Sequence, residues 1–543
     1  MKSHKKTGSY YTPDFLSKFM MKHVGQYFKN REQLSILEPS VGSGNFIKAF
    51  NETSFPTGIK AFSIVAVEKL KSELKKAQAQ SLTNKKRKSR YSFINEDFLK
   101  YQIGLSRRFS LIVGNPPYIR RTLLNKKQIK ICDQISQRAG LKKRSVKNIW
   151  PFFLIQCSLL LEQDGILAFV LPAELLQVQF SLELREFLIN RFQRTEIFTF
   201  HDILFECKGQ DTILLIAYKT HEEPGQFYTG ISDIGQLERN DFLLAKNHAL
   251  SATKTKWSHH LLSGDELSFI YALSDQIKTI DHFCISKPGI VTAANEFFIV
   301  NEATERLYNL SRYLKPIIQK GNFVNGSIVF DNSEYDELVR NGKPSKVLCI
   351  AEDEATGLPN HIKQYLKLGV DRDLPSGHKC SRRKYWYVIP NMSSISDGFF
   401  LRRVHHYPKL LKNSAQVLIT DTAYQIHMKE NYSIDHLIFS FYNSLSLAFA
   451  ELNGRYYGGG VLELTPSEFK NIPIPYSSIA KEEFKGFRKV FEDKSRIQDV
   501  LFAYDDYILN STLGLSTDDV RKIQEIYGKL VDKRFRKPIR LNQ

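Results

Sequence analysis

The stretch "SILEPSVGSGNFIKAF", residues 35–50, decides how the first half of this chain folds. A short apolar run ends in Glu38 and Pro39, a turn carries Gly42 and Gly44, and a helical pattern with Phe46 near its start follows. Glycines at those two positions let the backbone turn tightly and approach a ligand. The spacing is not GxGxxG and no GK[ST] follows, so a pyrophosphate cradle is not indicated. The stretch predicts a strand, a glycine turn and a helix.

The same rhythm continues on the C-terminal side. Strands are expected at 35–39, 62–68, 91–95, 110–115, 165–172, 195–200 and 212–218, with helices at 44–52, 69–80, 151–162 and 181–193. Near-continuous apolar strands separated by helices predict an α/β fold with a doubly wound, mostly parallel sheet. In such sheets ligands bind at the carboxyl ends of the strands. Glu68 ends the second strand and is placed to accept hydrogen bonds from ribose hydroxyls. Asp97, after the third, can accept from an adenine amino group, and Phe98 can flank the ring. The fourth strand runs into "NPPY", Asn115 to Tyr118. Acid or amide side chains at consecutive strand ends form a constellation that single residues do not.

The totals set bounds. The chain has 543 residues, and 42% of them are hydrophobic, enough for two or three packed domains. A formal net charge of +20 suggests a polyanionic partner. The six cysteines show no CxxC spacing and no histidine cluster, which predicts reduced thiols and no metal site. Neither a signal peptide nor a membrane-spanning run is evident, so a cytoplasmic protein is expected. "TNKKRKSRY" (83–91) reads as a surface loop and "HEEPGQ" (221–226) as the edge of the first domain. From about 480 the pattern turns helical. The expected division is 1–225, 226–480 and 481–543.

At the strand ends the chain resembles the Rossmann-like S-adenosylmethionine-dependent DNA adenine-N6 methyltransferases of the γ arrangement, in the TaqI-like and Eco57I-like type II group. In these the cofactor motifs come first, the catalytic motif second and the target-recognition domain last. "GSYYTPDFLSKFMMKHV" (8–24) resembles their N-terminal cofactor segment, and the resemblance implies that Tyr11, Thr12 and Pro13 cover the methionine end. It also implies that Glu38 faces the methionine ammonium, with Pro39, Gly42, Gly44 and Phe46 beside the cofactor. Glu68 and Asp97 are carried over to ribose and adenine, with Phe98 and Phe153 packing on the adenine. Asn115 would border both cofactor and target.

The resemblance gives "NPPY" a chemical purpose. The amino nitrogen of adenine is a weak nucleophile, because its lone pair is delocalised into the ring. The Asn115 side-chain oxygen and the Pro116 carbonyl can grip its two hydrogens, and Pro116 and Pro117 stiffen the backbone that presents them. Tyr118 can stack on a base that has left the duplex. "HDILFECKGQDTILLIAY" (201–218) resembles the stretch that supplies a second aromatic face, Phe205, with Lys208 near the base edge or a phosphate. "CSRRKYWYVIP" (380–390), "FFLRRVHHYPKLLKNSAQVLITDTAYQI" (399–426) and "GRYYGGGVLELTPSEFKNIPIP" (454–475) look like a C-terminal mixed α+β specificity domain. There Arg382, Arg383, Arg402 and Arg403 are candidate DNA contacts.

The expected activity is site-specific methylation of duplex DNA in restriction-modification, with S-adenosylmethionine as cofactor and no metal. Cytosine N4 needs the same two acceptors and stays open; an RNA or protein-glutamine substrate ranks lower, and a non-catalytic DNA-binding subunit is the reading from another class. The cofactor segment starts within the first dozen residues, so no fused N-terminal nuclease is expected. A bacterial monomer, with a restriction endonuclease encoded nearby, completes the expectation.

Overall fold

The computed structural model describes residues 12–535, apart from 57, 83–87, 102–106, 142–146, 178–180, 201–211, 232, 247–256, 258–261, 325–326, 391, 393, 458 and 493–496. The chain forms two compact units, the first running to Leu267 and the second from Ser268 to Phe535.

The first unit is built on a nine-stranded sheet. Its strands are β1 (Gln33–Glu38), β2 (Ala61–Val67), β3 (Lys88–Ile94), β4 (Phe109–Gly114), β5 (Leu161–Pro172), β6 (Arg194–Phe200), β7 (Thr212–Tyr218), β8 (Gly225–Ile231) and β9 (Ala245–Lys246). Their spatial order is β3-β2-β1-β4-β5-β7-β6-β8-β9. Strands β1 to β5 pair in parallel, β7 is antiparallel to β5 and β6, and β9 is antiparallel to β8. Chain order reverses direction at β1, with β2 and β3 on one side and β4 and β5 on the other. That is the switch point at which open α/β sheets bind ligands.

Each central strand buries both faces, as the apolar runs require. Ile36, Leu111, Val113 and Ala168 belong to one core; Leu37, Ile112, Leu167 and Phe169 belong to the other. Helices α1 (Asp14–Gly25) and α2 (Asn45–Glu52) contribute to the first core. Helix α3 (Lys71–Ser81) packs with α2 in a smaller cluster. Helices α4 (Lys126–Arg138), α5 (Trp150–Leu159) and α6 (Leu182–Ile189) cover the second core. The edge strand β3 alternates exposed and half-buried residues instead.

All seven expected strands are present, with shifted ends. β5 starts at Leu161, four residues early, because a register irregularity opposite Phe109–Leu111 absorbs residues 162–165. The expected domain edge at 221–226 runs into β8, which pairs in parallel with β6. The break between the units falls about forty residues later, at 267/268. Helix α4 was not expected, since its apolar residues are sparse. Its start is nevertheless marked by a reciprocal capping box between Asn125 and Gln128.

The second unit is mixed α+β. It holds a five-stranded sheet, a four-stranded sheet and a three-stranded sheet. The last joins Arg403–Val404, Val461–Glu463 and Arg455–Tyr457. The helical tail at Lys481–Glu492, Ile497–Asp505 and Thr517–Arg534 belongs to this unit rather than standing apart. Buried Arg534, on its last helix, pairs with buried Glu451 at 3.0 Å.

Candidate active site

Four neighbouring strands, β3, β2, β1 and β4, end side by side, and each tip carries a polar side chain. Glu38 is the last residue of β1, Glu68 follows β2, Asp97 follows β3 and Asn115 follows β4. Parallel registers from Gln33↔Ala61 to Glu38↔Ala66, and from Ala61↔Lys88 to Val67↔Ile94, hold the tips level.

The glycine turn is fixed by one of those acids. Gly42 and Gly44 both take positive φ, 53° and 91°. A Cβ on Gly44 would lie 2.8 Å from the Ala77 Cα, so close contact with α3 excludes any side chain there. The Gly42 amide donates to the Glu68 Oε2 at 3.0 Å, and the Leu70 amide donates to Oε1 at 2.8 Å. One carboxylate thus ties the turn after β1 to the segment after β2. Asn95 adds a second tie, donating to the main-chain oxygens of Glu68 and Lys69 at 2.9 and 3.1 Å.

Glu38 is only 3% exposed. Burial, and secondarily the charge of Glu68, hold its carboxyl well above the usual carboxylate range. A cation brought to this place favours its ionised form. Pro39 packs against the close approach of β4, where a Cβ on Gly114 would meet the proline Cδ at 3.4 Å. The Ser40 hydroxyl donates to the Asn115 main-chain oxygen at 3.1 Å. Asn115 and Pro117 are half-buried, and Pro116 is buried.

Asp97 is buried and accepts from the Leu99 amide at 3.2 Å and from the Gln128 side chain at 2.9 Å. Phe98 and Phe153 are both buried and lie together, with ring centroids 5.2 Å apart. Thr12 is buried, and its main-chain oxygen accepts from the Asn45 side chain at 2.6 Å. Ser43 in turn donates to Asn45 at 3.1 Å. The segment before α1, with Pro13 at its N-cap, is thereby brought to the glycine turn.

Other expected residues are placed differently. Phe46 lies in the core beneath α2, with Ile36 and Phe50, on the opposite layer from Phe98 and Phe153. The amphipathic phase of α2 turns it to the sheet. Tyr118 is 9% exposed and packs in the core, its hydroxyl donating to the Val170 oxygen at 3.2 Å. Tyr11, Phe205 and Lys208 lie outside the described residues. Among the basic candidates, Arg382 is exposed. Arg383 instead donates to the main-chain oxygens of Val291, Thr292 and Trp386 at 3.1, 2.9 and 3.2 Å, a structural clamp. Arg402 and Arg403 share buried Glu463 at 2.5 and 3.1 Å, and Arg403 remains largely exposed. Asn45 and Gln128 are the site residues that sequence reading missed. The capping box was the available signal for Gln128. Among the described residues no group of acids, histidines and cysteines is arranged to hold a metal, and no helix is long and apolar enough to cross a membrane.

The acceptors at three tips suit a ligand that brings donors: an ammonium, a ribose diol and an aromatic amine. S-adenosylmethionine has all three. The description "Eco57I restriction-modification methylase" matches residues 17–205, and "Type II methyltransferase M.Eco57I, C-terminal domain" matches residues 254–509. The Type II methyltransferase M.AccI of Acinetobacter calcoaceticus is 22% identical over 491 residues, 86% of this chain and 85% of its own. The modification methylase CviBIII of Paramecium bursaria Chlorella virus NC1A is 28% identical over 224 residues, 41% of this chain and 52% of its own. Among solved structures, the Type IIL restriction-modification enzyme MmeI, determined in complex with DNA, superposes with a TM-score of 0.60 at 12% identity. That likeness of fold covers 96% of this chain and 76% of that one. The first family match takes in the strand tips and the second most of the other unit, so this chain belongs to the Eco57I-type restriction-modification methylases.

Proposed function

We propose that this S-adenosylmethionine-dependent DNA methyltransferase acts on N6 of an adenine turned out of duplex DNA within a specific sequence. The observation that carries the reading is the row of polar tips on four adjacent strands, with Asn115 at its end. S-adenosylmethionine supplies, when bound, an electrophilic methyl group on sulfur. Glu38 meets its ammonium, Glu68 its ribose hydroxyls and Asp97 its adenine amine, with Thr12 and Pro13 closing the methionine end.

Asn115 and the Pro116 carbonyl accept the two hydrogens of the target amine and favour its tetrahedral form. The prolines hold both acceptors in place before the base arrives, so no reorganisation is needed at the moment of reaction. Positioning supplies much of the rate. The amine needs no strong base before attack, and its proton leaves afterwards to water. Tyr118 stacks on the extruded base after its ring turns out of the core. Extrusion costs a few kcal/mol, which stacking and the amine hydrogen bonds offset.

The second unit recognises the target sequence, with Arg382, Arg402 and Arg403 among its cations. The protein works as a monomer in the bacterial cytoplasm, beside a restriction endonuclease encoded nearby. The test is methyl transfer from tritiated donor to duplex DNA, followed by nucleoside chromatography. Label in N6-methyl-2′-deoxyadenosine is the expected result. Label in N4-methyl-2′-deoxycytidine, whose formation needs the same two acceptors, overturns the adenine assignment, and absence of label overturns catalysis.

A further inference from the structure

The buried face of α4 consists of Gln128, Cys132, Ile135 and Ser136, spaced as one helical stripe. Gln128 is the long polar side chain on that stripe, and it is only 7% exposed. A buried amide is costly unless its donor and acceptor are both used. Here its Oε1 accepts from the Asn125 amide at 3.3 Å, and its own amide donates to the Asn125 side chain at 2.9 Å. Those two bonds complete the helix cap. The Nε2 group is surplus to capping, and it donates to the Asp97 Oδ2 at 2.9 Å, across 31 residues of sequence.

The Leu99 amide holds the other Asp97 oxygen at 3.2 Å. Lys69 also approaches Oδ2, but at 3.7 Å and largely exposed. Donors on both oxygens set the plane of the carboxylate. Each oxygen keeps a second acceptor direction, and the plane decides where it points. We infer that Gln128 is a positioning residue for the cofactor: it orients Asp97 so that the free acceptor direction meets the purine amine. The inference rests on the reading of Asp97 as the adenine acceptor. It makes the helix that follows the "NPPY" segment a structural part of the cofactor subsite.

The test measures calorimetric Kd values of the full chain for S-adenosylhomocysteine and for its 6-oxo counterpart, S-inosylhomocysteine. The second ligand keeps the amino-acid ammonium but has no purine amine to donate. Wild type should prefer the adenosyl compound by about tenfold or more, the worth of one hydrogen bond to a charged group. Gln128→Met keeps the volume of the buried side chain and removes the donor. The expected result is about tenfold weaker adenosyl binding, with the preference reduced to within about threefold. The ratio is measured within one variant, so a partly unfolded sample does not alter it. A Met variant that keeps the wild-type ratio, whatever its absolute affinity, overturns the inference and leaves Gln128 a helix cap. Asp97→Ala separates the two levels. If it retains the ratio, the assignment of Asp97 fails, and the inference falls with it.

Discussion

Replacing Glu68 by glutamine keeps its length and shape but removes one acceptor. In the native turn the Gly42 and Leu70 amides use different oxygens of this carboxylate, at 3.0 and 2.8 Å. A glutamine offers one oxygen, so one of these amides must face an NH2 group. Stranding that donor costs about 1–3 kcal/mol, and the surviving bond, now to a neutral acceptor, weakens by about 1 kcal/mol. For a unit of this size each kcal/mol moves the melting temperature by about 2–4 °C, so a fall of roughly 5–10 °C is expected. On the proposed reading the ribose hydroxyls meet the same group, so cofactor affinity should fall further. A loss of about 10- to 100-fold follows.

The substitution also reaches Glu38. Burial lifts that carboxyl first and the charge of Glu68 second. On the proposed reading an ammonium meets the ionised form of Glu38, so wild-type affinity should rise with pH through its elevated titration. In Glu68→Gln the charge contribution is gone and burial remains, so the rise should move to lower pH. Calorimetric Kd values for S-adenosylmethionine across pH, with melting curves on the same samples, read all three effects. A variant with Kd within twofold of wild type and an unmoved melting temperature would refute the claim that Glu68 locks the turn and holds the ribose.

Asn115→Ala should reduce kcat by about 100-fold or more, with Kd for S-adenosylmethionine nearly unchanged; parallel loss of cofactor binding would make it a structural residue. DNA affinity should fall steeply with salt, because a chain of net charge +20 displaces condensed counterions from the phosphates and their release is favoured less as bulk salt rises; filter binding that is flat between low and moderate salt speaks against electrostatic docking. Asp505 is fully buried beneath Ser444 and Gln524, and burial pushes its carboxyl up to about 6 from an ordinary 3.8. The folded state therefore holds this proton more tightly than the unfolded chain. Stability should decline by about 3 kcal/mol as pH rises from near 4 to above 6. Urea midpoints of Asp505→Asn should lack that decline, and an identical pH profile in both proteins would contradict it.

The sheet was legible because its signal is local and redundant. Strands such as Leu111–Val113 and Leu167–Val170 are apolar on both faces, which only a sheet covered on both sides needs. Their carboxyl ends follow directly, so Glu68, Asp97 and Asn115 could be placed before any packing was known. Extent was less legible. β8, "GQFYTGI", begins with two residues of the "HEEPGQ" turn signal, and its pairing with β6 is set by tertiary contact. Local pattern marked a turn there, and the turn is real, but the domain does not end at it.

The aromatic residues show where sequence reading stops. Chemistry selects a ring at position 118 or 46 for a flat ligand, yet a ring is also the best filler of a core. Which use prevails depends on the phase of α2 for Phe46 and, for Tyr118, on the bond to the Val170 oxygen that its ring must leave before it can stack. Neither quantity is written in the residues themselves. The same holds for Arg383, a cation by composition and a clamp on three main-chain oxygens by geometry. Polar groups at strand tips are less ambiguous: Glu68 and Asp97 also bind local amides, but the tip of a parallel strand leaves a side open for a ligand. In this fold, acids and amides at strand ends are therefore stronger evidence of function than aromatic or basic residues of equal chemical promise.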